Sequence, residues 1–167
     1  MIHFEVVTNV NRKEICGLKI LEEQSTFVES VTDCLSEADA RSCWRPVGIY
    51  QDTDLIGFAM YGFFWEYFPL GRLWLDRFLI DARFQGHGYG KAAFAALLKR
   101  LDGEYLHKSI YLSVTKGNTT AAHMYSGFGF RITGELDEHG EEVMLLSRKN
   151  RKPPFPSRPP VHKVPSA

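Results

Sequence analysis

The chain has 167 residues, with 20 basic side chains, 20 acidic side chains and a formal net charge of zero at pH 7. This length suits one domain with a substantial core, and an uncharged balance argues against nucleic acid as the main partner. No apolar run approaches the roughly 20 residues that cross a bilayer, so we expect no membrane association.

The predicted elements begin with a strand at 4–7, a helix from Asn9 or Asn11 to about residue 21, and a second helix that Ser30 caps. Strands follow at 45–50 and 55–64, joined by a hairpin turn, and then at 73–80. A helix at 91–101, a strand at 109–114, a helix at 119–128 and a hairpin of 130–136 with 142–146 complete the series. The order βααβββαβαββ predicts an α/β (α+β) fold, a mixed sheet with helices on both faces.

Residues 150–167 differ in composition from the preceding part. They are rich in proline and basic residues and have no apolar periodicity. We therefore expect a domain at 1–149 and a polyproline-like or disordered tail at 150–167. Three cysteines, Cys16, Cys34 and Cys43, fit no metal-binding spacing, which favours free thiols, a cytoplasmic location and no bound metal.

A glycine-rich turn, Gln85–Gly90 (QGHGYG), lies between the predicted strand at 73–80 and the helix at 91–101. Backbone N–H groups at a helix start are unpaired, and glycines let an anion approach them closely. The turn is thus either a pyrophosphate cradle or an ordinary tight turn. Two other nucleotide sites fit less well. A P-loop would need a hydroxyl residue where Ala92 follows Lys91, and the spacing of Gly86, Gly88 and Gly90 differs from a dinucleotide fingerprint.

The pattern Q/R-x-x-G-x-G/A is matched at Gln85, Gly88 and Gly90, and it resembles the acyl-CoA motif of the GNAT superfamily of N-acetyltransferases. The resemblance implies a mostly antiparallel sheet of about seven strands, and acetyl-CoA as the co-substrate. In that family the turn holds the CoA pyrophosphate and the preceding strand pairs with the pantetheine arm. The implied cofactor-binding residues are Phe78, Leu79, Ile80, Gln85, Gly86, His87, Gly88, Tyr89, Gly90 and Lys91.

A second stretch, Asn118–Phe130 (NTTAAHMYSGFGF), is similar to the later GNAT motif N-x-x-A-x-x-x-Y-x-x-x-G-F. The resemblance implies that Asn118 bonds the cofactor arm and that Tyr125 points its hydroxyl at the CoA sulfur. Such a donor assists thiolate departure as a general acid, worth ~10²–10⁴-fold. The alternative for Tyr125 is a half-buried helix tyrosine with a satisfied hydroxyl.

Asp76 is the candidate base, because an acid inside an apolar strand must meet a cleft, a partner or water. An alkylammonium with a pKa near ~10 must lose a proton before it attacks. The alternative is an ion pair, although neighbouring strand residues point to opposite faces, which argues against Arg77 as the partner. The short side chain favours transfer through a water.

Several stretches resemble bacterial spermine/spermidine N-acetyltransferases, among them FVES at 27–30, RPVGIY at 45–50 and WLDRFLID at 74–81. The resemblance implies direct acetyl transfer to a primary amine of a polyamine, with Asp76 as the base position. Glu29, Asp33 and Glu37 are spaced four apart, and we expect them to share one helix face toward that cation. Trp74, Trp65 and Tyr61 offer cation–π faces.

Two other functions are compatible with the sequence. One is acetylation of another small amine, an antibiotic or a protein N-terminus, and the other is a non-catalytic acyl-CoA-binding protein. A homodimer is compatible with the fold, and the sequence does not identify which nitrogen is acetylated.

Overall fold

The computed structural model describes residues 1–27, 29–106, 108–147 and 149. The predicted tail at 150–167 lies outside the described residues. The strands are β1 (Ile2–Val6), β2 (Trp44–Gln51), β3 (Asp54–Phe64), β4 (Arg72–Ile80), β5 (Ile110–Val114), β6 (Arg131–Leu136) and β7 (Glu142–Leu146). The helices are α1 (Arg12–Cys16), α2 (Val31–Ala40), α3 (Tyr89–Glu104) and α4 (Thr119–Gly127), with short 3₁₀ turns at Glu22–Gln24 and Ala82–Phe84.

These elements confirm the predicted order, and in the described part of the chain they build one seven-stranded sheet, β1-β2-β3-β4-β5-β7-β6. Neighbouring strands are antiparallel except β4 and β5, which are parallel. Apolar side chains of the sheet pack on both sides. Phe94 and Leu97 of α3 belong to one buried cluster, while Ile15 of α1 and Leu35 of α2 belong to the other.

The first helix is much shorter than the sequence predicted. It ends at Cys16, and the chain that follows bonds to a buried aspartate instead of continuing the helix. The Asp81 carboxylate accepts the Lys19 N–H at 3.0 Å, and the Lys19 carbonyl accepts the Ala82 N–H at 2.7 Å. Leu18 is buried as expected, whereas Leu21 is exposed. Tertiary hydrogen bonds thus override the local helical pattern.

The second helix begins where the sequence places it, because the Ser30 hydroxyl accepts the Asp33 N–H at 3.1 Å. The third helix is longer than predicted at both ends. It starts at Tyr89 and continues past Asp102 and Gly103, which we expected to end it. A glycine inside a helix costs only about 1 kcal/mol, which the packing of the α3 apolar face offsets.

Strand β4 contains a bulge that shapes the molecule's cleft. Arg77 lies opposite Met60 and Leu75 lies opposite Tyr61, so Asp76 is an extra residue between them. Beyond this point β4 also leaves its parallel partner, since the two strands pair only at Leu73–Ile110 and Trp74–Tyr111. One edge of β4 from the bulge to Ile80 is therefore open.

Candidate active site

The gap between β4 and β5 opens into a cleft of about 1290 Å³. This volume exceeds the roughly 300–1,000 Å³ of a typical small-molecule pocket, so more than one ligand fits. The second half of β4 and the end of β5 form its walls, together with α4, the 3₁₀ turn at Glu22–Gln24 and the β6–β7 hairpin. The cleft joins the glycine-rich turn to a strongly acidic region.

Acidic side chains dominate the described lining of this cleft. Its carboxylates are Glu23, Glu29, Glu37, Glu66, Asp76, Glu135, Asp137, Glu138 and Glu141, and its arginines are Arg41, Arg72 and Arg77. Each of these arginines is already paired with a carboxylate of the same lining. The remaining acids leave an excess of negative charge, which suits a cationic ligand.

Asp76 lines the cleft, as predicted, but its relation to Arg77 is different. The Arg77 guanidinium lies 2.9 Å from Asp76 Oδ2 and 2.8 Å from Glu29 Oε2. The expectation that these neighbours point to opposite faces is wrong, because the bulge places both side chains on one face of the sheet. Oδ2 is buried and accepts no hydrogen bond within the described residues, despite its closeness to the guanidinium.

Burial is the main reason why the pKa of Asp76 is raised, to about 6. The positive charge of Arg77 opposes this rise, while the carboxylates of Glu37, Glu29 and Glu141 reinforce it. A carboxylate with a pKa near neutrality is suited to accept and release protons at physiological pH.

Tyr125 lies on α4, and its side chain lines the cleft. Its ring packs against Phe94 and Phe130, with centroid distances of 5.1 and 6.0 Å. Burial raises the pKa of Tyr125 to about 12, and the charge of Glu141 adds to this effect. Burial and the charge of Glu141 are the causes of this shift, and no hydrogen bond from a described residue is among them.

The glycine-rich turn has the backbone of an anion cradle. Gly86 and Gly88 have φ of +78° and +81°, and no atom lies within 4 Å of where a side chain would begin. At the N-terminal end of α3, the first hydrogen bond is the one that the Ala92 N–H donates to the Gly88 carbonyl, at 3.2 Å. The preceding N–H groups of the helix are therefore available to a ligand.

Gln85, Gly86 and Gly90 line the cleft, while His87, Gly88, Tyr89 and Lys91 lie outside its lining. The Gln85 side chain donates to the Ile80 carbonyl and to Gln24 Oε1, both at 2.8 Å. It thereby fastens the turn to β4. Gln24 was missed because nothing local in the sequence indicates that it contacts residue 85.

Phe78, Leu79 and Ile80, which we expected beside the pantetheine arm, line the cleft along the open edge of β4. Asn118 also lines it, and its Oδ1 caps α4 by accepting the Ala121 N–H at 3.2 Å. Trp74 faces the acidic region, and its indole N–H is buried without a hydrogen-bond partner in the described part of the chain.

The three acids expected on one helix face are not arranged that way. Ser30 is the N-cap of α2, so Glu29 precedes the helix and pairs with Arg77. Asp33 is exposed, bonds to the Ser30 hydroxyl at 2.5 Å and does not line the cleft. Glu37 does line it, and it accepts the Trp44 indole N–H at 3.0 Å.

Two of the expected aromatic faces are also placed elsewhere. Tyr61 is buried and donates to Glu104 at 2.7 Å, and Trp65 is largely exposed outside the cleft. Trp44 and Tyr67 line the cleft instead.

Nothing within the described ranges groups three or more histidines, cysteines or acids as a metal would require. Among the described helices, none has the length and hydrophobicity of a membrane span.

The sequence matches the acetyltransferase (GNAT) family model over residues 14–130. It is 45% identical over 147 residues to the spermine/spermidine N(1)-acetyltransferase of Bacillus subtilis (strain 168), covering 86% of this chain and 97% of that one.

Solved structures share the fold. The aminoglycoside acetyltransferase AAC(6')-Ib in complex with coenzyme A has a TM-score of 0.73 at 17% identity, covering 89% of this chain and 96% of that one. The Vibrio cholerae spermidine N-acetyltransferase in complex with CoA and spermine has a TM-score of 0.62 at 18% identity. This match covers 86% of this chain and 92% of that one. Together with the open β4–β5 cleft, these matches show that the chain belongs to the GNAT family of acetyltransferases.

Proposed function

We propose that this enzyme transfers the acetyl group of acetyl-CoA to a primary amine of spermine or spermidine. The observation that carries the proposal is the single cleft that joins the glycine-rich turn to a chamber rich in carboxylates. The similarity to a spermine/spermidine acetyltransferase over nearly all of that protein's length supports the same substrate class.

The residues at the turn fit acetyl-CoA, which supplies an activated acetyl group as a thioester. The left-handed glycines and the unpaired N–H groups of α3 bind the diphosphate. Lys91, at the start of α3, adds positive charge there. The open edge of β4 at Phe78–Ile80 offers backbone groups to the pantetheine arm, and Asn118 keeps its amide N–H₂ for the arm because its Oδ1 is the helix cap.

Asp76 is the base in this proposal. With a pKa of about 6 it is ionised at neutral pH and accepts a proton from the incoming ammonium group, directly or through a water. The amine nitrogen then bonds to the carbonyl carbon, and the carbon–sulfur bond breaks. Tyr125, which stays protonated because its pKa is about 12, donates its proton to the departing sulfur. The nitrogen loses its second proton as the amide forms, and that proton returns the tyrosinate to its neutral state through water.

The acidic chamber holds the remainder of the polyamine. Glu37 and the indole of Trp74 face it, and Tyr67 adds a further aromatic surface. Glu29 contributes through its ion pair with Arg77 rather than as a free carboxylate. This replaces the expectation that Glu29, Asp33 and Glu37 bind the cation from one helix face. Asp33 has no part in this site.

The test is thiol release from acetyl-CoA by the wild-type protein with spermine, spermidine, putrescine, lysine or buffer alone. We expect rapid release with spermine and spermidine, and little with lysine, whose carboxylate the acidic chamber repels. Release with lysine but not with the polyamines would assign another amine. Tight CoA binding with no release for any amine would instead indicate a binding protein without turnover.

A further inference from the structure

Glu141 lies outside both acetyltransferase motifs, yet the structure builds it into the cleft. It ends the connection between β6 and β7, and Asp137 fixes that connection from its start. The Asp137 carboxylate accepts the N–H groups of His139 and Glu141, both at 2.9 Å. The Asp137 N–H also donates to the Glu141 carbonyl at 3.0 Å. The backbone of Glu141 is therefore held on both sides.

The Glu141 side chain is held as firmly as its backbone. One carboxylate oxygen accepts the Ser113 hydroxyl at 3.0 Å, and the other accepts the Thr115 hydroxyl. All three side chains line the cleft, opposite the open edge of β4. Each carboxylate oxygen has two lone pairs, so each can accept one more hydrogen bond from a ligand in the cleft.

Glu141 lies close enough to act electrostatically on both groups that the proposed reaction uses. Its charge raises the pKa of Asp76 and the pKa of Tyr125. Asp76 also faces Arg77 on its own strand, Glu37 on α2 and Glu29 just before α2. For Tyr125, Glu141 is the charged neighbour that acts on the hydroxyl in the described structure.

A purely structural role explains this arrangement poorly. Strands β5 and β7 are already joined by five backbone pairs from Ile110–Leu146 to Val114–Glu142, so the hairpin needs no side-chain clasp. The Glu141 carboxylate lies near Asp76 and Tyr125, which exchange protons in the proposed reaction, and its charge makes the ionisation of Asp76 more costly. Such a charge is useful where a cation enters.

We propose that Glu141, clamped by Ser113 and Thr115, binds the ammonium form of the acceptor amine and holds it between Asp76 and Tyr125. The inference rests on the proposed function and adds to it a third carboxylate at the reacting nitrogen. Glu141 fixes the position of the amine, while Asp76 remains the group that takes the proton.

The experiment compares Glu141→Gln with Glu142→Gln, which removes the same charge one residue further on, at an exposed site outside the cleft. For Glu141→Gln we expect the KM for spermidine to rise roughly tenfold or more, since a charge-assisted hydrogen bond is lost. The KM for acetyl-CoA should change by less than about twofold. The acidic limb of kcat/KM should move to lower pH, because Asp76 loses a negative neighbour.

The double variant Ser113→Ala/Thr115→Val keeps the charge but releases the clamp, and it should raise the spermidine KM without moving the acidic limb. An unchanged spermidine KM in Glu141→Gln, or an acidic limb that stays in place, overturns the inference. Equal rises in both KM values with a lower melting temperature would assign Glu141 a structural role, and so would also overturn it.

Failure of the proposed function has a different signature, which is the absence of polyamine-dependent release by the wild-type protein. In that case an NMR titration of the Asp76 carboxyl carbon still tests the inference without turnover. The Asp76 titration should move to lower pH in Glu141→Gln and remain in place in Glu142→Gln. Putrescine should broaden or shift the Glu141 carboxyl signal of the wild type, and no response would contradict amine binding there.

Discussion

Asp76 occupies a position where burial makes its ionisation costly. The bulge in β4 turns its carboxylate into the cleft beside Arg77, where it is mostly buried. Burial outweighs the attraction of the arginine, so the pKa of Asp76 rises from an ordinary carboxyl value to about 6. The folded protein thus binds this proton more tightly than the unfolded chain does.

We predict that Asp76→Asn changes the free energy of unfolding by an amount that depends on pH. A folded pKa above the unfolded one means that wild-type stability is lost as pH rises from about 4 through about 6. Asparagine does not ionise, so at pH 7.5 the variant should be more stable by up to ~3 kcal/mol, at 1.36 kcal/mol per pKa unit. Chemical denaturation of both proteins at pH 4 and pH 7.5 measures the difference.

The same substitution should lower kcat/KM and remove the acidic limb near pH 6 from its pH profile. Asp39→Asn is a suitable control, because Asp39 forms an exposed ion pair with Arg12 and should change stability by less than ~1 kcal/mol. A variant that is less stable than wild type at pH 7.5, with its acidic limb intact, would show that Asp76 is a structural partner of Arg77 and not a base.

Among the elements, the start of α3 is where we propose that the diphosphate of the co-substrate binds. Gly88 is the N-cap with φ of +81°, a backbone conformation that costs a residue with a Cβ roughly 1–2 kcal/mol. Its position leaves the first N–H groups of the helix unpaired beside the proposed diphosphate site. The position that requires glycine therefore lies next to the proposed ligand site.

The second prediction compares two glycines of this region. Gly88→Ala should destabilise the protein by about 1 kcal/mol and raise the KM for acetyl-CoA, because the strained turn relaxes away from the anion site. Gly103→Ala, inside the same helix with open space around it, should stabilise by up to about 1 kcal/mol and leave that KM unchanged. Thermal melts and steady-state kinetics measure both. Equal effects of the two substitutions would contradict the role of the turn.

Local patterns predicted the elements well, because apolar periodicity, the Ser30 cap and the turn residues are properties of short segments. These patterns failed where contacts between residues distant in sequence determine the local structure. The end of α1 depends on Asp81, some 60 residues away, and the contact of Gln24 with Gln85 leaves no local signal. The bulge at Asp76 arises from its pairing with β3, so strand alternation alone placed Arg77 on the wrong face.

In the whole molecule, the seven-stranded sheet supports the cleft, and it opens between two neighbouring strands, β4 and β5. Two core clusters hold its faces, and β4 and β5 separate after two residue pairs. In the proposed function, this separation leaves an edge of β4 free for acetyl-CoA and opens the acidic chamber to the amine. At the glycine-rich end, the sequence motif identified Gln85, Gly86 and Gly90, which line the cleft. Of the acids at the other end, Asp76, Glu29 and Glu37 were also expected, and all three line the cleft. Glu141 and the Glu29–Arg77 pair were not expected, because separate loops bring Glu29 and Glu141 there.

In the proposed function, the cleft around Tyr125 is where acetyl passes to a polyamine. The most direct measurement is kcat for thiol release with saturating acetyl-CoA and spermidine, in wild type and Tyr125→Phe, with the Kd for CoA measured in parallel. The phenyl ring keeps the packing on Phe94 and removes only the proton donor. We predict a fall of at least ~100-fold in kcat with an unchanged CoA affinity. A kcat within about threefold of wild type, at equal CoA affinity, would contradict the account.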